Sequence, residues 1–305
     1  MITNQVSEFR GAYSADRFPS RHAATAKALM LVSPEGFSIS SESASDNAYM
    51  DLAHGADPER ALAQHRELFR LLDRTLPITQ FKGSASTPDA VFCNNAYATV
   101  LGRLIVGAMR HAERRRETER ADIVDWFARR MAYPATRLAS EPGVVAELTG
   151  PLVIDRARGI GYCGLTERCN EAGAEAMHRA FGLDATFSFA LAPGEYHTNV
   201  VLMVLAGRAV VLHRASFADP EVADAIAACY APHVVWLDDE EKAAFCGNCI
   251  ALGQGLVWMS ARADAALKPE HRTILEHAGF SVRSVPLDEL EKAGGSLRCC
   301  IGEIF

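Results

Sequence analysis

The chain has 305 residues, of which 49% are hydrophobic and 23% are charged, and its net charge at pH 7 is −7. This composition is ordinary for a globular protein of one large domain or two smaller ones. The negative charge offers no broad basic surface and so argues against a nucleic-acid partner. Met1–Pro19 lacks an apolar signal core, and no apolar run reaches membrane-spanning length. We therefore expect a cytoplasmic protein whose eight cysteines are reduced.

Apolar runs broken by turn residues recur along the chain, and each recurrence predicts two strands, a helix and a third strand. In chain order, the predicted elements are Ala28–Val32, Pro58–Arg74 and Leu76–Phe81; Ala90–Cys93, Thr99–Val106 and Arg110–Arg130; and Leu152–Ile154, Ile160–Gly164, Asn170–Phe181 and Ala185–Leu191. They continue with Val200–Leu205, Ala209–His213, Pro220–Tyr230 and His233–Leu237; and with Cys249–Leu252, a turn at Gly253–Gly255, Leu256–Ser260, Lys268–Ala278 and Phe280–Pro286.

The final run, Ser296–Phe305, is also typical of a strand, and we expect it to pair with Ala28–Val32. That pairing completes a fifth unit. Units that cannot bury their faces alone pack around a common axis. The sequence therefore predicts an α/β fold of five ββαβ units with pseudo-fivefold symmetry, a five-bladed α/β propeller. We assign residues 28–305 to this single catalytic domain and residues 1–27 to an N-terminal extension.

The sequence argues against an open parallel sheet, a nucleotide cofactor and a metal site. Frequent hairpins argue against an open parallel sheet, because parallel strands need long crossover connections. No glycine-rich loop leads from a strand into a helix, so a nucleotide cofactor is not expected. Cys246 and Cys249 form one Cys-x-x-Cys pair, but no second pair stands at zinc-finger spacing. We therefore expect neither a metal nor an organic cofactor.

Polar or reactive residues stand beside the first strand of every predicted unit. They are Asn94, Asn95, Glu147, His197, Asn248 and Cys299. Equivalent positions in a ring should converge on one pole of its axis. A thiol, an imidazole and a carboxylate brought together there can carry out nucleophilic catalysis, in which the thiol attacks and the imidazole moves protons. The sequence thus favours an enzyme with a cysteine nucleophile.

Four segments together carry a resemblance to a known family: Pro88–Asn95, His197–Val200, Phe245–Asn248 and Gly294–Phe305. On these motifs the chain resembles the guanidino-group-modifying (pentein) enzymes, which include arginine deiminase, dimethylarginine dimethylaminohydrolase and the amidinotransferases. The likeness is greatest to the citrulline-hydrolase branch. It implies a five-bladed α/β propeller that hydrolyses a guanidino or ureido C–N bond of a small amino acid.

The resemblance also implies the catalytic residues. It places the nucleophile at Cys299, the general acid and base at His197, and the carboxylate that orients the histidine at Glu147. Glu167 is the alternative carboxylate. Cys300 is the alternative thiol, and in an extended strand the two neighbouring thiols would point to opposite faces.

The substrate-binding residues implied in the same way are Asp89, Asn94, Asn95, Arg115, Arg168, Asn199 and Asn248. The two arginines would hold the α-carboxylate of the substrate. Relatives that bind a cationic guanidinium carry a carboxylate two residues after the histidine, where this chain has Asn199. An amide both donates and accepts hydrogen bonds, which suits a neutral ureido group. The expected reaction is therefore hydrolysis of citrulline to ornithine, ammonia and CO2.

Other interpretations stay open. The alternatives with the same fold are arginine deiminase or dihydrolase, dimethylarginine dimethylaminohydrolase and amidinotransferase. An alternative of another class is a non-catalytic propeller that binds a small amino acid, although the intact Cys, His and Glu set favours an enzyme. The expected partner is a small guanidino or ureido amino acid, without nucleic acid or membrane. A homo-oligomer is left open.

Overall fold

The computed structural model of the protein describes residues 1–253 and 255–305. In those residues the strands are β1 (Ile2–Thr3), β2 (Ala28–Val32), β3 (Ile78–Phe81), β4 (Tyr97–Val100), β5 (Arg103–Val106), β6 (Ala135–Arg137), β7 (Leu152–Asp155), β8 (Ile160–Leu165), β9 (Ala185–Ala190), β10 (Leu202–Leu205), β11 (Ala209–Leu212), β12 (Val234–Trp236), β13 (Ile250–Leu252), β14 (Leu256–Ser260), β15 (Ser281–Val285) and β16 (Gly302–Ile304). The α-helices are α1 (Val6–Ser14), α2 (Pro58–Leu72), α3 (Ala112–Thr118), α4 (Ala121–Trp126), α5 (Glu171–Phe181), α6 (Thr198–Val201), α7 (Pro220–Ala228), α8 (Asp239–Ala243), α9 (Ala261–Ala266), α10 (Pro269–His277) and α11 (Asp288–Glu291). Gln254, in the turn predicted at Gly253–Gly255, lies outside the described residues. Among the described helices, none is both long and apolar enough to span a bilayer.

The strands form five small sheets that share one strand order. In the sheets that contain β4, β7, β10 and β13, an antiparallel hairpin comes first and a third strand then lies parallel to its second strand. The sheet of β16, β2 and β3 has the same arrangement. At least one helix joins the second strand of each unit to the third. The predicted mixed α/β class is therefore confirmed.

The predicted pairing of the C-terminal run with the first long strand is present. Strand β16 runs antiparallel to β2, with Ile304 opposite Ala28 and Gly302 opposite Met30. A Cβ on Gly302 would lie 2.9 Å from the terminal methyl of Met30, so the two strands pack closely here. The pairing fixes the position of the turn that precedes β16.

The prediction of a strand at Ala90–Cys93 is wrong. This run forms turns, Cys93–Asn95 form a short 3-10 helix, and the first strand of the unit is β4. All four residues of the run are buried, and burial alone does not distinguish a strand from a buried turn. Asn94 and Asn95 therefore precede the first strand of their unit rather than follow it.

Three other predicted elements have different boundaries. The predicted helix Arg110–Arg130 is divided into α3, α4 and a π-helical turn at Phe127–Met131. The predicted strand Val200–Leu205 begins with the helical turn α6, and the predicted strand Ser296–Phe305 begins with a 3-10 helix at Leu297–Cys300. Short buried apolar runs have no distinguishing period, which is why the sequence did not separate these turns from strands.

Local sequence sets the boundaries of the longest helix, α2. Asp57 caps it by accepting hydrogen bonds from the backbone N–H groups of Glu59 and Arg60, and Pro58 occupies its first turn. Its buried positions recur every three or four residues: Ala61, His65, Leu68 and Leu72. This face packs with residues of β2 and of the segment before β16 in one apolar cluster.

The first residues of the chain belong to the packed structure. Strand β1 pairs in parallel with β9, which gives that sheet a fourth strand. Phe9 of α1 is fully buried and stacks on Phe187, with ring centroids 4.5 Å apart. Part of the segment predicted as an N-terminal extension, residues 1–27, therefore contributes to a core.

His65 makes the stability of this fold depend on pH. Its side chain is fully buried, and neither ring nitrogen has a hydrogen-bond partner among the described residues. Burial lowers the pKa of His65 from 6.5 to about 4. Between those pH values the unfolded chain binds a proton that the folded protein does not bind. With respect to His65, the free energy of unfolding is therefore highest above about pH 6.5. It decreases as the pH falls from about 6.5 towards about 4.

We predict that His65→Leu removes this dependence. One pKa unit corresponds to about 1.4 kcal/mol, so the unmodified protein should lose up to about 3 kcal/mol of unfolding free energy over this pH range that the variant retains. Urea unfolding at the two pH values measures the difference. His277→Leu, at an exposed position of α10, is the matched control and should follow the unmodified protein. Equal losses in His65→Leu and the unmodified protein would contradict the prediction.

Candidate active site

The polar residues that precede the first strands are buried and lie close together. They are Asn94 and Asn95 before β4, Glu147 before β7, His197 before β10, Asn248 before β13 and Cys299 before β16, and each is at most 3% exposed. Hydrogen bonds join residues of different units: Asn94 to Thr149, His197 to Glu147, and Asn248 to Cys299. The fold thus brings these predicted site residues to one place.

Cys299 lies on the 3-10 helix Leu297–Cys300, so the prediction that placed it within a C-terminal strand, Ser296–Phe305, is wrong. Its Sγ lies 3.2 Å from Nδ2 of Asn248 and 3.6 Å from Nδ2 of Asn199. The backbone N–H of Cys299 donates to Oδ1 of Asn248 at 3.4 Å. Asn248 therefore both holds the backbone of Cys299 and donates to its sulfur, and such donors stabilise a thiolate.

The two neighbouring thiols have different surroundings. Burial raises the pKa of the Cys299 thiol above its usual value, and the hydrogen bond from Asn248 offsets part of that rise. Cys299 lines the cavity of the site, whereas Cys300 does not line it and its Sγ lies 3.5 Å from the carbonyl oxygen of Ser296. The resting Cys299 thiol is therefore protonated at neutral pH and requires a base before it can attack.

His197 and Glu147 form a buried pair. Nε2 of His197 lies 3.0 Å from Oε2 of Glu147, and neither side chain is exposed. The carboxylate assigns the ring proton to Nε2, so Nδ1, which has no partner among the described residues, is the nitrogen that can accept a proton. Burial lowers the pKa of His197 to about 4, against the opposing effect of the hydrogen bond to Glu147. The imidazole is therefore neutral at rest.

Gly150 packs directly against this histidine. A Cβ at Gly150 would lie 2.7 Å from Nδ1 of His197 and 2.8 Å from Oδ1 of Asn95, which is too close, so the contact requires glycine. Both atoms are buried and lack partners in the described part of the chain.

Two buried arginines keep Glu147 ionised. Nη1 of Arg168 lies 3.1 Å from Oε2 of Glu147, and Nη1 of Arg114 lies 3.6 Å from it. Burial alone raises the pKa of Glu147, but the charge of Arg168, the hydrogen bond of His197 and the charge of Arg114 outweigh it and hold this pKa well below its usual range. Glu167, the alternative carboxylate, is 64% exposed and pairs with a surface arginine.

Arg114, rather than the predicted Arg115, is the second arginine at the site. Arg114 is buried, and its Nε and Nη2 each donate to Glu117 at 2.9 Å. Arg115 is exposed and donates to the backbone carbonyls of Met109 and Arg110. Arg115 was implied by the family resemblance alone. Which of three consecutive arginines faces inward depends on the phase of the helix, and the predicted helix boundaries were wrong.

The loop between β2 and α2, residues 33–57, covers the site and is called the covering loop below. Asp46 of this loop accepts from Nε and Nη2 of Arg168 at 2.9 and 2.5 Å, and the carbonyl of Ser43 accepts from Nη2 at 2.9 Å. Together with Glu147, these groups occupy every nitrogen of the Arg168 guanidinium. The sequence carried no signal for Asp46 or Ser43, because neither lies in a motif or a periodic pattern.

A cavity of about 10 Å³ remains beneath the covering loop, and its walls include Asp89, Asn95, Arg114, Arg168 and Cys299. This volume holds about one water molecule. A molecule as large as an amino acid would therefore fit only if part of the cavity wall, such as the covering loop, moved. Oδ1 of Asp89 has no partner among the described residues, and burial raises the pKa of this carboxyl.

The other predicted amides have mainly supporting contacts. Asn94 donates to Oγ1 of Thr149 at 3.3 Å and is not among the residues that line the cavity. Nδ2 of Asn199 donates to the carbonyl of Thr149 at 3.0 Å in addition to its contact with the sulfur. Both amides thus fix the turn that contains Gly150.

Among the described residues, no group of three or more His, Cys, Asp or Glu side chains is arranged to hold a metal ion. The Cys-x-x-Cys pair is buried, and Sγ of Cys246 donates to the carbonyl of Ala263 at 3.2 Å. Burial raises the pKa of Cys249 to about 12, which disfavours the thiolate that a metal binds. The expectation that activity needs no metal stays a prediction.

The model of the family described as N,N-dimethylarginine dimethylhydrolase, eukaryotic, matches residues 33–305. The chain belongs to this family. Membership places the protein among the guanidino-group-modifying enzymes, and so confirms the superfamily that the motifs indicated. No curated protein matches the chain.

Solved structures of this superfamily share the fold. The N-terminal domain of ArgZ, an arginine dihydrolase of the ornithine–ammonia cycle in cyanobacteria, was solved with its substrate; it has a TM-score of 0.79 and 19% identity, and the match covers 91% of this chain and 97% of that one. AgrE, solved with ornithine and NAD+, has a TM-score of 0.78 and 20% identity over 91% of this chain. A dimethylarginine dimethylaminohydrolase has a TM-score of 0.69 and 21% identity, over 92% of this chain and 100% of that one. This chain spans 40% of full-length ArgZ and 39% of AgrE.

We predict that Glu147→Gln lowers kcat by a factor of about 10²–10⁴, because the imidazolium loses the charge that stabilises it. Glu167→Gln makes the same chemical change at an exposed position and should retain near-normal kcat. Steady-state ammonia release measures both, and circular dichroism checks that each variant is folded. A normal rate in Glu147→Gln with a large loss in Glu167→Gln would transfer the role to Glu167.

Proposed function

We propose that the protein hydrolyses a ureido or guanidino C–N bond of a small amino acid through a covalent intermediate on Cys299. The proposed substrate is citrulline, and the products are ornithine, ammonia and CO2. The observation that carries the proposal is the position of the Cys299 thiol, which lines the same closed cavity as Asn95 and Arg168 and receives two amide N–H groups. Family membership supports chemistry at a guanidino carbon.

The proposal includes the arrangement of the five sheets around one pseudo-fivefold axis. Contacts between first strands of neighbouring units support it: β16 contacts β4, β7 contacts β10, and β10 contacts β13. In such a ring each unit presents the segment before its first strand at the same pole. The ring therefore explains how residues from five distant parts of the sequence meet.

The reaction begins when the Cys299 thiol transfers its proton to Nδ1 of His197 and the thiolate attacks the ureido carbon. The tetrahedral adduct collapses as one C–N bond of the ureido group breaks. The nitrogen that leaves receives from His197 the proton that His197 took from Cys299. Glu147 stabilises the transient imidazolium through its hydrogen bond to Nε2. The N–H groups of Asn248 and Asn199 stabilise the thiolate before it attacks.

The second half-reaction releases the S-linked carbonyl group. Water gives a proton to His197 and adds to the carbonyl carbon, the S–C bond breaks, and Cys299 recovers its proton. The carbamate that leaves then loses CO2. One citrulline and one water thus give one ornithine, one ammonia and one CO2, without a change of oxidation state.

Two oxygen atoms near the cavity suit a substrate head that donates hydrogen bonds. Asn95 and Asp89 each present one oxygen without a partner among the described residues. A ureido group has N–H donors for both oxygens and brings no charge that a buried site would have to balance. Because burial raises the pKa of Asp89, its carboxyl is a weaker counter-charge for a guanidinium than an exposed aspartate.

Arginine is the second candidate substrate, and the charge of the site favours it. The cluster holds Arg114 and Arg168 and four carboxylates, which are Asp46, Asp89, Glu117 and Glu147, and Arg110 approaches Asp46 at 3.6 Å. A guanidinium would balance the surplus of negative charge. Burial raises the pKa of Glu117 to about 7, which reduces that surplus. ArgZ is an arginine dihydrolase, so a relative of similar fold acts on arginine.

We propose Arg168 as the anchor of the substrate's α-carboxylate, with Asp46 as the group that the substrate displaces. The carboxylate of Asp46 contacts this guanidinium, and the α-carboxylate of the substrate would take its place, so Arg168 stays paired with a carboxylate. We also propose that the protein acts in a cytoplasm, without nucleic acid or membrane. All eight cysteines are free thiols, which is typical of a reducing compartment.

We predict that Cys299→Ser abolishes turnover and that Cys300→Ser, the matched neighbour, retains the fold and much of the activity. The physical reason is that Cys299 lines the cavity and receives the two amide donors, whereas Cys300 does not line the cavity and its thiol donates to the carbonyl of Ser296. Acid quenching during turnover, followed by peptide mass spectrometry, should find the adduct on Cys299. An adduct on Cys300 would contradict the assignment, and no adduct with no turnover would favour a non-catalytic binding protein.

The substrate prediction concerns Asn95, which lines the cavity. We predict ammonia from citrulline in the unmodified protein, and a shift of the arginine-to-citrulline ratio of kcat/KM by about 10–100-fold towards arginine in Asn95→Asp, because a carboxylate stabilises a guanidinium. Asn94→Asp is the matched control and should not shift the ratio, since Asn94 does not line the cavity. Mass spectrometry of the products from a ureido and guanidino amino-acid panel measures both. Rapid arginine hydrolysis by the unmodified protein, with citrulline inert, would replace citrulline by arginine.

A further inference from the structure

A buried ion pair on α3 adjoins Glu147, the carboxylate that orients the histidine. Its members, Glu117 and Arg114, are 2% and 3% exposed. Nε of Arg114 donates to Oε1 of Glu117 and Nη2 donates to Oε2, both at 2.9 Å. Two parallel hydrogen bonds fix the plane of a guanidinium as well as its position. Glu117 is not among the described residues that line the active-site cavity, whereas Arg114 is, so the route from Glu117 to the site is Arg114.

The guanidinium that is fixed in this way stands between two carboxylates. Its third nitrogen, Nη1, lies 3.6 Å from Oε2 of Glu147. Nη2 also donates to the carbonyl of Phe92 at 3.3 Å, which ties the group to the segment before β4. Arg114 therefore cannot turn away from Glu147 without losing its hydrogen bonds to Glu117.

The two arginines that face Glu147 differ in their second carboxylate. For Arg168 that carboxylate is Asp46, in the covering loop. For Arg114 it is Glu117, three positions along its own helix. A movement of the covering loop would thus remove a counter-charge from Arg168 and leave that of Arg114 in place. Arg114 is the arginine whose charge stays compensated while a ligand enters.

The charge of Glu117 decides how much positive charge acts on Glu147. When Glu117 is ionised, its pair with Arg114 is neutral. When Glu117 is protonated, Arg114 presents an uncompensated cation 3.6 Å from Glu147. That cation opposes the formation of a second cation on His197. The charged groups that face this imidazole are Glu147, Arg168 and Arg114.

The ionisation of Glu117 falls within the pH range of an ordinary assay. Burial raises the pKa of this carboxyl to about 7, against the opposing charge of Arg114. The nearby carboxylates Asp89 and Glu147 raise the same pKa further. Glu117 is therefore mostly protonated at about pH 5.5 and mostly ionised at about pH 8.5.

We propose that Glu117 is a positioning residue of the active site. It holds the Arg114 guanidinium beside Glu147 and neutralises its charge, so that Glu147 stabilises the imidazolium of His197. It contacts neither the substrate nor Cys299, and it acts through Arg114 alone. The inference rests on the proposed function, in which His197 takes the proton of the Cys299 thiol.

Glu117→Gln tests the proposal, because it keeps the shape of the side chain and fixes it in the uncharged state. At about pH 5.5, kcat of the variant should agree with that of the unmodified protein within about twofold, since Glu117 is then protonated. At about pH 8.5 the variant should be slower by at least about tenfold. Glu119→Gln, the same change at the exposed end of α3, is the matched control and should follow the unmodified protein at both pH values. A loss in Glu117→Gln that is equal at both pH values reflects structure alone and overturns the proposal.

Alkylation of Cys299 by iodoacetamide tests the same inference without turnover. The reagent reacts with the thiolate, which forms as His197 takes the proton. The rate constant, measured by peptide mass spectrometry, should show the same pH-dependent loss in Glu117→Gln. If the loss is present but no ureido or guanidino amino acid is hydrolysed, the proposed hydrolysis fails and the role of Glu117 stands. If turnover is present and neither rate depends on Glu117, the role of Glu117 fails alone.

Two other comparisons separate the charge of Glu117 from its packing and keep the test decisive if Glu117→Gln does not fold. Glu117→Asp retains the charge and should alkylate within about fivefold of the unmodified protein at about pH 8.5, and a larger loss overturns the role of the charge. Arg114→Gln and Arg114→Gln/Glu117→Gln both lack the cation, and circular dichroism checks that they fold. Their alkylation rates should agree within about twofold, because Glu117 acts through Arg114. A further loss of more than about tenfold in the double variant would reveal another route and overturn the proposal.

Discussion

One buried carboxylate, Glu147, holds the candidate active site together. It accepts a hydrogen bond from His197 and is the counter-charge of Arg168 and Arg114. Removing one partner from a buried ion cluster leaves the others uncompensated, at a cost of about 3–5 kcal/mol. The same carboxylate therefore sets the tautomer of the histidine and keeps two arginines in an interior that would otherwise exclude them.

This cluster also joins different parts of the fold. Glu147 stands before β7, His197 before β10, and Arg114 on α3 in the unit of β4. Asp46 of the covering loop completes it through Arg168. Because these residues come from four units, correct packing of the units and correct geometry of the site are one requirement. A change that loosened the packing of one unit would therefore alter the position of the His197 imidazole.

Sequence reasoning was reliable where the pattern is local. The strand Ala28–Val32, its pairing with the C-terminal run, and the polar residues beside the first strands followed from apolar runs and turn residues. It failed where three-dimensional context decides. The segment before β4 was assigned to a strand because buried turns and strands look alike. Arg115 came from the family resemblance, which did not fix which of three consecutive arginines faces inward, and Asp46 was missed because its partner is 122 positions away.

The contact between Asp46 and Arg168 has a consequence for selectivity. In the closed protein a carboxylate of the chain already occupies the guanidinium that an incoming α-carboxylate would bind. A ligand with a carboxylate exchanges one ion pair for another, so the net change in electrostatic free energy is small. An amine with the same head but no carboxylate would have to open the covering loop and leave Arg168 half paired. Under the proposed role of Arg168, the covering loop would act as an internal competitor that selects ligands by their carboxylate before the reactive group reaches Cys299.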